Sequence, residues 1–530
     1  MSGNGAAGGR RGVVLAAMIF AVAMTFIDQT IVSIAAPKIQ SELNLTGTGM
    51  QWAINSYLLA MAALFAYGGR LSDTLGHRRM VTLGVIVFAA ASALCGLTPT
   101  GALAQSWIIT FRAVQGLGGA IMYPAALAIV VNTYELRERG RALALFFGIA
   151  GGLTAVGPIL GGYLTEWTWR GIFWVNVPVA LVALLLIWIS KPQTQYRPAP
   201  IDYRGLALIG GGVALSVFGF QQSHVWGWSN PAIWLSIALG AALLVFFFRF
   251  ERGRPSPLMD VSIFRNRAFA VQCLVLGLSM TVFLPMFFFA SEYASVALGQ
   301  SAQQAGVTLL YFFIGFIVTA QIGGRMLDRI GAKRPVVAGS VLSAVGFYLW
   351  ASKMPDLNLS HMTSYIILAG AGMGLMIGPS NTDAVNRASS LSYGEATGIT
   401  QTVRNYASSL SLAILGTVMI SVFQSQIADS LVAQGASRAV ANAAAAAAAK
   451  QGGSGSTGSG SSSAPIPHWI QLDFAHACQT VFYGMAGIMA VTAVIALVGL
   501  QRGVQAEHAE RAGSTEPTEP AGIPDATETA

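Results

Sequence analysis

Fourteen stretches of the 530-residue chain stay apolar for about the length of a bilayer crossing, and no other feature restricts the fold so tightly. They lie near residues 13–35, 50–68, 80–98, 105–131, 142–164, 171–190, 205–222, 231–249, 269–291, 303–322, 335–352, 361–384, 397–422 and 476–500. A helix needs about 20 apolar residues to cross the hydrocarbon core, and in lipid every backbone N–H and C=O must bond within its own segment. Charged residues make up 10% of the chain and hydrophobic ones 54%, whereas roughly a quarter of a soluble domain is charged. The expected fold class is an all-α polytopic membrane protein with 14 transmembrane helices. The seventh stretch, GLALIGGGVALSVFGF, is short and rich in glycine, which leaves twelve spans plus a surface-lying pair as the alternative count.

Lysine and arginine collect in cytoplasmic loops. With the amino terminus inside, the outward loops carry only Lys38, Arg170, Lys353, Arg438 and Lys450, while the inward loops and tails carry nearly all the rest. Both termini are therefore expected in the cytoplasm, with the chain multi-pass in the cytoplasmic membrane. The net charge of +8 reflects this topology, and no nucleic-acid partner follows from it. Cys95, Cys273 and Cys478 fall inside apolar segments and read as small hydrophobes. The first run follows Arg10 and Arg11 but is long enough to span, so it reads as an uncleaved first helix.

Two charged turns repeat. Gly69, Asp73, Gly76, Arg78 and Arg79 match Gly324, Asp328, Gly331, Lys333 and Arg334. About 255 residues also separate GLGGAIMYP, ending at Pro124, from GMGLMIGP, ending at Pro379. Two anchors at one offset indicate an internal duplication. The expected organisation is a cytoplasmic amino terminus (1–12), a six-helix bundle (13–190), a linker with two extra helices (191–268) and a second six-helix bundle (269–500). Within the latter, 424–475 form an extracytoplasmic Ala/Gly/Ser-rich loop whose alanine run favours a helix. A tail at 501–530, rich in Glu, Pro and Thr, is expected to be disordered.

The chain resembles the fourteen-span drug:proton antiporters of the major facilitator superfamily, the quaternary-ammonium and multidrug resistance type. The likeness rests on FIDQTIVSIAAPKI, QWAINSYLLA, the charged turn, RAVQGLGGA, GPILGG and WRGIFWVNVPVAL in that order. It implies proton-coupled efflux of lipophilic, cationic drugs or antibiotics by alternating access, from a monomer that binds small molecules, with the proton as coupling ion and no other cofactor or metal. It also implies that the charged turns are a latch between the halves and that Gly157, Pro158, Gly161 and Gly162 form the antiporter motif. By physics alone that motif is a kinked, closely packed helix, and the arginines of the turn could simply anchor helix ends. A dedicated exporter of one metabolite or lipid-like compound is the alternative function. A polytopic enzyme is more remote: no lysine follows a glycine as a Walker A loop requires, and no histidine precedes a glutamate.

Asp28 stands well inside the first apolar run, where an ionised carboxylate costs several kcal/mol and is kept for a cavity, a paired base or proton transfer. Arg112 lies at similar depth in the fourth. The two are expected to couple if those helices face each other, as they do in halves built from inverted triplets. The alternatives are an acid bonded to Thr25, Gln29 or backbone, and an arginine reaching to the surface. Asn55, Tyr57, Gln115, Phe283, Phe287 and Glu292 are candidates for the substrate cavity. Packing, backbone satisfaction or a lipid-facing position is the plainer reading of each. Asp383, near the inner end of its span, and Arg404 are further intramembrane charges that could contact substrate, satisfy a backbone group or sit at the interface.

Overall fold

The computed structural model describes residues 3–134, 142, 145, 146, 149, 152–192, 202–254, 257–388, 393–450, 466–501 and 503, without the side chains of 3–10, 224, 393–395, 449 and 450. The Gly/Ser tract, most of the 501–530 tail, and Arg137, Arg139 and Arg141 lie outside the described residues.

The described residues form helices α1 (Gly3–Leu43), α2 (Gly47–Leu75), α3 (His77–Gly96), α4 (Ala104–Thr133), α5 (Val156–Trp167), α6 (Gly171–Trp174), α7 (Asn176–Ser190), α8 (Tyr203–Trp226), α9 (Pro231–Glu251), α10 (Arg267–Val296), α11 (Ala302–Ile330), α12 (Lys333–Lys353), α13 (Leu359–Arg387), α14 (Tyr393–Ala433), α15 (Arg438–Lys450) and α16 (His468–Gly499). Twelve of the apolar helical segments are long enough to cross a membrane. Two expected spans fall outside that set: α2 has the length, at 29 residues, but carries Gln51 and Asn55, and α5 is described only from Val156. The chain is a multi-pass membrane protein.

Local chemistry sets the helix starts. Thr46 accepts the Gly49 N–H ahead of α2, Ser301 and Gln304 form a capping box on α11, and Asp202 caps α8. Such side chains satisfy donors that the first turn cannot bond internally. Two boundaries differ from expectation. α14 continues about eleven residues beyond the apolar run, to Ala433, and α16 begins at His468, because apolarity marks the lipid-contacting part of a helix and not its hydrogen-bonded end. The alanine run forms α15, which packs back on α14.

The duplication reappears in the packing. Helix α4 contacts α1, α2 and α3, and α13 contacts α10, α11 and α12 in the same way. The pairs α1/α5, α1/α7 and α3/α7 likewise correspond to α10/α14, α10/α16 and α12/α16. Between the halves α2 meets α14 while α5 meets α11, so the interface repeats about the same pseudo-two-fold relation. Helices α8 and α9 pair with each other, and α8 lies against α2 and α14.

Glycine explains how closely the matched helices approach. A Cβ at Gly68 would collide with the Ala120 carbonyl, and one at Gly323 with the Leu375 carbonyl, two contacts related by the 255-residue offset. Gly69 and Gly324 have room for a side chain, so the repeat's first glycine is not the one that sets the close approach. Gly76 (φ 98°) and Gly331 (φ 80°) turn the chain in left-handed conformations, where an L side chain is strained.

Candidate functional site

Helices α1 and α4 do face each other, and they bring Asp28 and Arg112 together. Arg112 Nη1 donates to Asp28 Oδ2 at 2.5 Å and to Gln115 Oε1 at 2.7 Å, while Gln115 Nε2 donates to Asp28 Oδ1 at 2.8 Å. Arg112 Nε donates to the Ala53 carbonyl at 3.1 Å, and the guanidinium lies 4.4 Å from the centre of the Tyr57 ring. The arginine has no route to the surface, being 1% exposed, and Asp28 is 0% exposed. A buried ion pair survives only when its remaining donors and acceptors are also satisfied. Gln115, the Ala53 carbonyl and the Tyr57 face meet that requirement. Thr25 and Gln29 play no part in holding Asp28: the Thr25 hydroxyl donates to the Val22 carbonyl.

A small cavity between the halves touches this network from one side. Arg112, Tyr57, Gln29, Pro285, Phe288 and Leu412 are among its lining residues. The base therefore meets the cavity while its acid lies behind it. Gln115, a candidate for substrate contact, is 0% exposed and belongs to the ion-pair network instead. Phe283 and Phe287 are likewise interior: their rings pack with Phe312, Phe313 and Phe316 from α11, which makes them core of the second bundle and not cavity wall. Phe288, one residue on, does reach the cavity. Asn55 is a tie, donating to Gln221 Oε1 on α8 (2.6 Å) and to the Ser409 carbonyl on α14 (3.1 Å), and accepting from the Ser409 hydroxyl. It fastens the inserted pair to both halves.

Span five carries the Gly-Pro-Ile-Leu-Gly-Gly stretch. Proline at 158 removes the N–H that would bond the Thr154 carbonyl, and the helix is interrupted at Thr154 and Ala155. Thr30 Oγ1 donates to that orphaned carbonyl at 3.0 Å. Gly157 and Gly161 let α1 pass, since a Cβ at Gly157 would overlap the Thr30 hydroxyl and one at Gly161 would press on Ile31. Gly162 faces the other way, against Gln303 of α11, and the Pro158 carbonyl fills the space beside Gly306. The motif thus sits between the helix of Asp28 and the opposite half. Thr30 is a functional candidate that the sequence reading misses. Its position two residues from Asp28 and the proline four residues after Thr154 are the signals that could have found it.

The halves also meet at the end of the molecule opposite the charged turns. There Ser301 donates to Glu166 at 2.7 Å and Ser291 to the Ile34 carbonyl at 3.3 Å. In the first charged turn Asp73 lies 3.8 Å from His77 Nε2. In the second, Asp328 and Arg334 are exposed and Gly331 packs on Gly503. Other acids are buried as well: Glu251, Glu292, Asp383 and Asp473, each near a helix end, whereas Asp28 lies in the interior of α1. Asp383 is bonded by Arg387 at 2.6 Å and by Gln272. Glu292 is 3% exposed and its Oε1 has no hydrogen-bond partner.

Two repeated membrane bundles with a charge network sealed beside the cavity between them define a membrane transporter. Known proteins specify it further. Residues 18–412 match the model of the Major Facilitator Superfamily, and the chain belongs to that family. It is 32% identical over 417 residues to the tetracenomycin C resistance and export protein of Streptomyces glaucescens (78% of this chain, 77% of that one). It is 32% identical over 424 residues to the puromycin resistance protein of Streptomyces alboniger (79% and 82%). The multidrug transporter protein MdtP of Bacillus subtilis is 29% identical over 428 residues (80% and 78%). Among solved structures, a bacterial homologue of the human lysosomal transporter Spinster, inward-facing and unoccupied, superposes with a TM-score of 0.60 at 16% identity, covering 92% of this chain and 97% of that one. The likeness in sequence places the chain in a family of transporters.

Proposed function

We propose that the protein is a proton-coupled antiporter that exports lipophilic drugs or antibiotics, cations among them, across the bacterial cytoplasmic membrane by alternating access, with both termini in the cytoplasm and as a monomer. The observation that carries this reading is the sealed Asp28–Arg112–Gln115 network, whose base borders the cavity between the halves. The resistance and export proteins among its relatives support the direction and the substrate type.

In this mechanism a proton reaching Asp28 removes the counter-charge of Arg112. The guanidinium is then free to leave the carboxyl, and helix α1 is released from its tie to α4. Because Thr30 of α1 also bonds the broken turn of span five, the release passes to the helix that packs on the opposite half. A proton falling through 100 mV supplies about 2.3 kcal/mol, and a unit of pH about 1.4 kcal/mol more. One carboxyl therefore drives a several-hundred-fold gradient of a neutral solute. The charged turns Gly69–Arg79 and Gly324–Arg334 act as the latch at the cytoplasmic end. Glu292, with one carboxylate oxygen left unbonded inside α10, is the candidate for meeting a cationic substrate.

Export of a single compound is the second reading, favoured by the two single-antibiotic names among the 32% relatives. Inverted membrane vesicles test both. Lipophilic cations and neutral antibiotics should accumulate in energised vesicles, protonophore should abolish the accumulation, and substrate addition should release protons from the lumen. Accumulation that ignores the protonophore refutes the coupling. A response to one compound alone favours the second reading.

A further inference from the structure

Helix α14 carries an arginine that nothing else in the described structure balances. Arg404 makes no ion pair among the described residues. Its Nη2 donates to the Met280 thioether sulfur at 3.6 Å, a weak acceptor, and its Nε is buried without any partner. The residue as a whole is half-buried. Across the interface, on α4, the Tyr123 hydroxyl also makes no hydrogen bond, although the residue is only 2% exposed. Their helices, α14 and α4, pack against each other although they belong to opposite halves. Phe26 and Phe65 pack around the tyrosine ring with centroids 5.9 and 5.3 Å away.

Buried donors without acceptors are rare in native proteins and call for an explanation. A cation in the membrane interior is kept for a counter-charge. A guanidinium offers a planar fork that matches a carboxylate or an ionised phenol or enol oxygen, and a phenolic O–H adds a third donor. The aromatic surface beside them suits a flat apolar body.

The geometry points to Arg404 and Tyr123 as the recognition site for an acidic group on a lipophilic, aromatic substrate. Such a substrate would be shared between the halves, its anion held by Arg404 from the second and Tyr123 from the first, at a depth different from the Arg112 cavity. This rests on the export reading above and names a substrate class for it. It also separates two kinds of cargo, since a cation would be drawn to Glu292 and repelled by Arg404.

Purified protein in nanodiscs, without any gradient, should be titrated with fluorescein and with a rhodamine methyl ester. The two dyes share a tricyclic ring system but carry opposite charge, and binding is read by fluorescence anisotropy. Fluorescein binding should weaken roughly tenfold to a hundredfold in Arg404→Gln, the loss expected for hydrogen bonds to an ionised group. It should weaken less in Tyr123→Phe and be largely kept in Arg404→Lys. Rhodamine binding should hold or improve in Arg404→Gln and fall in Glu292→Gln. Fluorescein binding that is absent in the wild type, unchanged in Arg404→Gln, or lost together with rhodamine binding in both Arg404 variants would overturn the assignment. Because no transport is measured, failure of proton-driven efflux in vesicles would count against the antiport reading and leave this one standing.

Discussion

Replacing Asp28 by asparagine keeps the side-chain shape and removes one charge, which isolates the pair's electrostatic role. In the wild type the carboxylate accepts from Arg112 at 2.5 Å and from Gln115 at 2.8 Å, with both members of the ion pair at 1% exposure or less. The neutral amide would leave a guanidinium in the bundle with uncharged partners only. Breaking a buried pair from one side typically costs about 3–5 kcal/mol, whereas removing both charges leaves no orphan. Asp28→Asn should therefore destabilise the purified protein by about 3 kcal/mol, and adding Arg112→Gln should recover most of that loss. The coupling is measured by a double-mutant cycle on denaturation in detergent, and transport by proton-driven accumulation in inverted vesicles. Both single variants and the double variant should lose accumulation, while substrate counterflow without a gradient should persist in the double. A coupling below about 1 kcal/mol would mean that the pair is not electrostatically closed. Wild-type proton-driven efflux in Asp28→Asn would end the coupling mechanism outright.

Other substitutions probe the surroundings. Gly157→Ala should push Thr30 off the Thr154 carbonyl, costing roughly 1–3 kcal/mol by overpacking and slowing transport more than it weakens substrate binding, as read by kcat and KM in vesicles. Gly68→Ala should destabilise strongly and Gly69→Ala hardly at all, since only the first meets the Ala120 carbonyl; equal melting shifts for the two would contradict the close approach. Asn55→Ala removes bonds to both Gln221 and Ser409, so α8 should become more accessible to cysteine labelling at its α2-facing side, and unchanged labelling would show that the insert is held by other contacts. Asp73→Asn in the first charged turn should reduce efflux severalfold with little loss of thermal stability if that turn works as a latch, and a stability loss in proportion to the transport loss would make it a structural anchor.

The bundles are legible in the sequence because lipid allows so few solutions: apolar length fixes the spans, and the 255-residue offset between Pro124 and Pro379 announces two equivalent halves. Asp28 and Arg112 are legible for the same reason, as charges that hydrocarbon does not tolerate without a partner. What stays hidden depends on direction around a helix. Phe283 and Phe287 differ from Phe288 by one to five residues, yet only Phe288 reaches the cavity. Periodicity carries no signal there because nearly every neighbour is apolar. Gln115 stands three residues beyond Arg112, one turn along the same face, and that spacing alone could have placed it beside the pair. Gly68 escapes notice beside Gly69 because the repeated motif draws attention to its own first letter, while the packing is set by the residue before it. Glu292 and Asp473 near helix ends look like interfacial acids, and their burial arises from contacts between helices distant in sequence.

The position of Thr30 argues for the route by which the charge state of one carboxyl becomes a movement of a half. Asp28 and Thr30 are two residues apart on α1, so they point to different sides of the helix. One side meets α4 through Arg112 and Gln115, and the other meets span five through the Thr154 carbonyl. The carbonyl is available only because Pro158 cannot bond it, and the hydroxyl can reach it only because Gly157 has no Cβ. On its far face the same span presents Gly162 and the Pro158 carbonyl to Gln303 and Gly306 of α11. Rotation of α1 on release from Arg112 would thus strain one hydrogen bond at the interrupted turn of a helix that packs on both α1 and α11 of the second bundle. Thr30→Val tests this link without touching any charge: the Asp28–Arg112 coupling energy should be unchanged within about 0.5 kcal/mol, while proton-driven efflux falls several-fold. If transport in Thr30→Val equals the wild type, the signal from Asp28 reaches the opposite half by another path.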